Sequence, residues 1–133
     1  MYLLDTNACI RILNDDSTSL VRRLRRHDPA EILLCSIVKA ELLYGAYLSS
    51  RVADNLRLLQ KFFRPFVSLP FDDRCVEQYG RIRAELQRTG TPIGPNDVLI
   101  AATALAHGLT LVTGNTREFS RVAGLQFENW EEE

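Results

Sequence analysis

Three acidic residues stand where solubility alone does not explain them. Asp5 closes the apolar run Tyr2-Leu3-Leu4, and Glu41 lies within Ala40-Glu41-Leu42-Leu43-Tyr44. Asp97 follows Gly94-Pro95-Asn96 and precedes a stretch, 98–106, that is apolar but for one threonine. Each has an ordinary explanation by itself. Asp5 can cap a following helix, Glu41 can be an exposed helix residue, and Asp97 can sit favourably on a helix dipole. Together they point further, because three carboxylates gathered at one edge repel unless a cation neutralises them. Oxygen donors without histidine or thiolate favour Mg²⁺ or Mn²⁺ over Zn²⁺. Such a centre activates water and stabilises in-line displacement at phosphorus, so the chemistry indicated is phosphodiester hydrolysis.

The elements that must position these acids can be read from the pattern. Short apolar runs at 2–4, 32–35, 66–69 and 109–113 predict strands, and 125–127 predicts a fifth at an edge. Helices are expected over 7–13, from Asp16 or Ser17 to Asp28-Pro29, over 37–48 behind Ser36 as N-cap, and over 52–63. A long helix begins at Asp72-Asp73 and ends at Gly90. An apolar one runs from Pro95 or Asn96 to Ala106, with His107-Gly108 as its C-cap, and a turn is expected around Gly114-Asn115-Thr116. Strands alternating with helices predict an α/β fold, a mainly parallel sheet of four or five strands covered on both faces. In such a sheet the end of the first strand and the starts of the helices carrying Glu41 and Asp97 can share the carboxyl edge, where ligand sites form.

Composition narrows the class. At 133 residues, 46% apolar and 25% charged, the chain suits a single globular domain over 1–133 rather than a disordered segment. No apolar stretch approaches the length of a membrane span, and Asp5 interrupts the first apolar residues too early for a signal peptide. The expectation is a soluble, cytoplasmic protein with no membrane partner. Three cysteines without a Cys-x-x-Cys pair argue against a disulfide framework and a thiolate zinc site. His27 and His107 each fall near a helix C-terminus, where capping is the expected role. Net charge is −1, so charge alone does not indicate a polyanion binder. The densest basic cluster, Arg22, Arg23, Arg25 and Arg26, reads either as a solvated helix face or as a phosphate contact.

Four segments in order resemble the PIN-domain ribonucleases, and more closely the VapC toxins of bacterial toxin–antitoxin pairs. They are Leu3-Leu4-Asp5-Thr6-Asn7; Ser36 with Ala40-Glu41-Leu42 and Tyr44-Gly45; Gly94-Pro95-Asn96-Asp97 with Ile100-Ala101-Ala102; and Leu111-Val112-Thr113-Gly114-Asn115-Thr116-Arg117-Glu118-Phe119. The resemblance runs along essentially the whole chain and implies a PIN-like three-layer α/β/α sandwich. It implies Asp5, Glu41 and Asp97 as ligands of Mg²⁺ or Mn²⁺, with Asn115 in the catalytic set and Thr6, Ser36, Thr113 and Glu118 in support. Many PIN proteins carry a fourth acid where this chain has Asn115, which puts a tightly held second metal in question. Glu118 is near enough in sequence to substitute, and Arg117 reads equally as a phosphate contact or a surface residue.

The activity implied is endonucleolytic cutting of structured RNA, tRNA being a common substrate, with 5′-phosphate and 3′-hydroxyl products. The 2′-hydroxyl is not the nucleophile in that chemistry, so preference for RNA must come from shape and base recognition. The resemblance also implies a homodimer and a cognate antitoxin protein, with operator DNA bound only indirectly through the antitoxin. Tyr44, Tyr47, Leu59, Phe62, Phe63 and Phe66 offer a docking surface for it. An aspartate-nucleophile phosphatase is a poor alternative, since Asn7 stands where a second aspartate is needed and no lysine follows a late strand. The remaining alternative is a catalytically impaired PIN-like module that binds RNA or a partner, which Asn115 favours and the three intact acids oppose.

Overall fold

The computed structural model describes residues 1–14 and 18–132. Its strands are β1 (Tyr2–Leu4), β2 (Ile32–Cys35), β3 (Val67–Leu69), β4 (Thr110–Val112) and β5 (Phe127–Glu128). The helices are α1 (Thr6–Asn14), α2 (Thr18–Arg25), α3 (Ser36–Leu48), α4 (Val52–Phe63), α5 (Asp73–Arg88), α6 (Pro95–Ala106) and α7 (Thr116–Phe119), with a 3₁₀ turn at Pro29–Glu31. The five strands pair in the order β3-β2-β1-β4-β5, every pairing parallel. Right-handed crossovers running outward through β2 and β3, then back to β4 and β5, must place helices on both faces of the sheet. This is the expected α/β/α sandwich.

Burial follows the apolar runs. Leu3, Leu4, Leu34 and Leu111 are inaccessible to solvent at the sheet centre, as are Ile100, Ala101, Ala102 and Ala104 on α6. Small residues on α6 let it lie close against its neighbours, so the most apolar helix is also a central one. Two helix ends need glycine. Gly90 and Gly108 have φ of 67° and 63°, the left-handed conformation that terminates α5 and α6 at low cost.

Several local expectations change. The fifth strand forms two residues later than expected, and the turn after Gly114 winds into the short helix α7. Ser36 is not an N-cap: Cys35 occupies the cap position, and the Ser36 hydroxyl donates to the Leu69 carbonyl at 3.3 Å, tying α3 to the end of β3. His27 follows the end of α2, where its N–H donates to the Leu24 carbonyl at 3.2 Å, and its ring also stacks on Trp130 at 5.0 Å with 8° between the rings. The expected cap at Asp16 or Ser17 lies outside the described residues.

The basic cluster also divides. Arg23 turns back to the C-terminal segment, over the Trp130 ring and toward the Asn129 and Glu132 carbonyls. Among the aromatics, Leu59, Phe62, Phe63 and Phe66 belong wholly or partly to the core, leaving Tyr44 and Tyr47 as the exposed members, 68% and 66% accessible.

Candidate active site

The strand order puts the topological switch point between β1 and β4. There the chain's two halves diverge and a crevice opens beyond the carboxyl ends of the strands. Asp5 is the first residue after β1 and Thr113 the first after β4. The Asp5 N–H donates to the Val112 carbonyl at 3.1 Å, holding the two strand ends together.

Asp5 is 3% exposed, and its Oδ1 accepts from the Ala8 N–H at 2.8 Å. The capping explanation is therefore correct, but it accounts for only part of the carboxylate. Burial raises the Asp5 pKa above the usual aspartate value. Hydrogen bonds from the Thr113 hydroxyl and the Ala8 N–H oppose that rise, and the nearby charges of Glu131 and Glu41 add to it.

Glu41 lies on α3, which leaves the carboxyl end of β2. It is half-buried, and its Oε1 accepts a 2.6 Å hydrogen bond from the Thr6 hydroxyl. Asp97 is the third residue of α6, whose axis runs back toward the start of β4. Its pKa is raised to about 6, first by burial, then by the charges of Asp5, Glu118 and Glu41. The three acids share one open cleft of about 620 Å³, lined also by Thr6, Tyr44 and Asn115.

The supporting residues separate into two groups. Thr113 accepts from the Asn115 N–H at 2.9 Å, and the Asn115 side-chain amide donates to Glu118 Oε2 at 2.8 Å. Asn115 thus brings Glu118 toward the acids and couples the two residues. Ser36, in contrast, has its hydroxyl engaged with the end of β3.

Glu131 was not singled out from the sequence. It pairs with Arg11 at 2.8 Å, lines an adjoining hollow with Asn115, and acts electrostatically on Asp5. Its Oε2 would lie 3.1 Å from a Cβ at Gly114, so the bare backbone there gives the carboxylate room. Its sequence neighbourhood, the acidic run Glu131-Glu132-Glu133, carries no motif that marks it as a site residue.

The donor chemistry of the cleft fits a hard divalent cation. Its ionisable lining among the described residues is carboxylate, without imidazole or thiol apart from the tyrosine phenol of Tyr44. Burial first, and then the charges of Asp5, Glu118 and Glu41, raise the Asp97 pKa, and a cation held in the cleft would favour its ionised form.

A parallel sheet with acids gathered at its switch point is the arrangement of a PIN domain, and the PIN domain family model matches residues 2–125. A tRNA(fMet)-specific endonuclease VapC from Shigella flexneri is 39% identical over 97% of this chain and 97% of that protein. The crystal structure of VapBC2 from Rickettsia felis bound to a DNA fragment from their promoter superposes with a TM-score of 0.91. The two are 38% identical, over 97% of this chain and 98% of that one. DNA-bound VapBC from Salmonella typhimurium gives a TM-score of 0.92 at 37% identity over 97% of each chain. The chain belongs to the PIN-domain family, in its VapC branch. No helix among the described residues is long and apolar enough to cross a membrane.

Proposed function

We propose that this chain is a metal-dependent endoribonuclease that cuts structured RNA, with tRNA as substrate, and that a cognate antitoxin silences it. The observation that carries the reading is the meeting of Asp5, Glu41 and Asp97 in one cleft, with Asp97 raised to about 6. The name of the Shigella relative supports tRNA as the substrate class.

In this reading Asp5, Asp97 and Glu41 hold Mg²⁺ or Mn²⁺. Asp5 is fixed by its cap and by Thr113, and Glu41 is aimed by Thr6. The ion supplies Lewis acidity, which lowers the pKa of water and offsets charge developing on phosphate oxygens. Asn115 commits its amide N–H to Glu118, leaving its carbonyl oxygen to accept from a water directed at phosphorus. Attack in line with the departing 3′-oxygen leaves a 5′-phosphate and a 3′-hydroxyl. The exposed Tyr44, Tyr47 and Leu48 on α3 give an antitoxin an apolar strip beside the cleft, and a segment laid over Tyr44 would cover the acids. The DNA in the Rickettsia and Salmonella assemblies supports operator binding by a toxin–antitoxin pair.

The test incubates purified, antitoxin-free protein with total bacterial RNA and Mg²⁺ or Mn²⁺, then maps new 5′ ends. Discrete 5′-phosphate ends that vanish with EDTA and with Asp5→Ala are expected. Absence of cutting by metal-replete protein would favour the binding-module reading.

A smaller effect is expected at Thr6. A hydrogen bond to a charged acceptor contributes roughly 1.5–3 kcal/mol. Thr6→Val should therefore raise the Mg²⁺ concentration for half-maximal cleavage by about 10- to 100-fold, leaving the rate at saturating metal much closer to wild type. A metal titration of the cleavage rate measures this. An unchanged midpoint would show that Thr6 does not position Glu41.

A further inference from the structure

The opposite end of α6 carries a second convergence of side chains, unconnected with the acids. Helices α5 and α6 run antiparallel, so the first turn of α5 meets the residue that caps α6. There an oxygen of Asp72, the sulfur of Cys75 and a ring nitrogen of His107 lie within 4.8 Å of one another. Asp97 and His107, the cap of α6, stand ten residues apart along the helix, about 15 Å at 1.5 Å per residue, which places the cluster well outside the acid cleft.

Two features set this cluster apart from a packing accident. His107 Nε2 is buried without a hydrogen-bond partner, and it is the only such side-chain nitrogen or oxygen among the described residues. An orphaned buried polar atom of that kind calls for a missing partner. The Cys75 thiol, inaccessible to solvent, faces the Asp72 carboxylate and the Thr103 hydroxyl and makes a long 3.9 Å contact to the Pro70 carbonyl.

We propose that Asp72, Cys75 and His107 form a metal site for a borderline-soft divalent cation, Zn²⁺ foremost. Thiolate, imidazole and carboxylate together select zinc over Mg²⁺, and three protein ligands leave a fourth tetrahedral position for water. Binding replaces the thiol proton, which passes to solvent, so affinity rises with pH. The backbone already presents the set. Asp72 caps α5 with its side chain accepting from the Cys75 N–H at 3.3 Å, and His107 is fixed as the C-cap of α6. An ion there would clip the start of one helix to the end of the other. The absence of a Cys-x-x-Cys pair does not oppose it, because Cys75 and His107 meet only through the fold.

The experiment loads the full chain with Co²⁺ in excess Mg²⁺, which occupies the hard-oxygen cleft, and records the absorption spectrum. Zn²⁺ stoichiometry and thermal midpoint are measured in parallel. A thiolate-to-cobalt charge-transfer band is expected, displaced by one equivalent of Zn²⁺, together with a rise in midpoint on the order of 5 °C at saturating zinc. Cys75→Ser and His107→Gln should each abolish the band, while Asp97→Asn should keep it. Absence of the band in the wild-type chain would overturn the proposal. So would a band that survives His107→Gln, a variant that keeps the helix cap and decides the matter if Cys75→Ser does not fold.

Discussion

Asp97→Asn is expected to abolish RNA cleavage while making the metal-free protein more stable. The loss of activity should be about 10³-fold or more, since a ligand carboxylate commands several kcal/mol of charge stabilisation and each 1.36 kcal/mol is a factor of ten. The gain in stability follows from the same charge. Asp97 is raised from 3.8 to about 6, so the native state holds its proton more tightly than the unfolded chain does. A raised pKa contributes stability that is fully present below about pH 4 and lost as pH rises through about 6. At neutral pH the ionised carboxylate therefore opposes folding. Two pKa units in a fully buried group would correspond to ~3 kcal/mol; solvent reaches Asp97, so ~1–1.5 kcal/mol is the expected scale.

Denaturant midpoints compared between wild type and Asp97→Asn provide the check. The difference should be near zero at pH 4 and reach its full size above about pH 6.5. It should then shrink or reverse in saturating Mg²⁺, which stabilises only the protein that keeps its ligands. A variant less stable than wild type at pH 7 without metal would mean that Asp97 is paired in the native state, and the case for a cation in the cleft would weaken with it.

The pattern of elements was legible because the strongest sequence signals here are local. Ile32–Cys35 is apolar at every position because a parallel strand inside the sandwich has no wet face. The apolar stretch after Asp97 likewise marked a central helix. Asp5 and Asp97 stood out because one closes an apolar run and the other opens one, and a carboxylate set against the core needs a reason. What remained hidden depends on residues far apart in sequence. Ser36 looked like a cap by type, yet its hydroxyl follows the Leu69 carbonyl on the neighbouring strand. Glu131 carries no motif, yet it pairs with Arg11 on the first helix in the hollow that adjoins the cleft. The link between Asn115 and Glu118 could be suspected from their spacing, but the seating of the Asn115 backbone on the Thr113 hydroxyl could not. Cys75 and His107 gave no joint signal, because only the antiparallel packing of two helices brings them together.

Trp130→Ala is expected to cost about 3–5 kcal/mol, a large part of the roughly 5–15 kcal/mol that holds a domain together. The sequence places this residue next to an acidic terminus, an unpromising location for a core side chain. The structure leaves it 1% exposed, edge-on to Tyr2 at 5.0 Å and stacked on His27. Its indole N–H donates to Glu128 at 3.0 Å, and its carbonyl accepts from the Ser19 hydroxyl at 3.0 Å. Trp130 therefore fastens the C-terminal segment to β1 and α2 together. Truncation leaves a cavity that three separate elements would have to close. A fall in thermal midpoint of roughly 10–20 °C is expected, with a correspondingly lower denaturant midpoint. Trp130→Phe, which keeps an aromatic ring but loses the bond to Glu128, should cost about 1–2 kcal/mol. The consequence extends to the site, because Glu131 follows directly and the Arg11–Glu131 pair depends on where Trp130 is seated. A Trp130→Ala chain as stable as the parent would detach the C-terminal segment from the core.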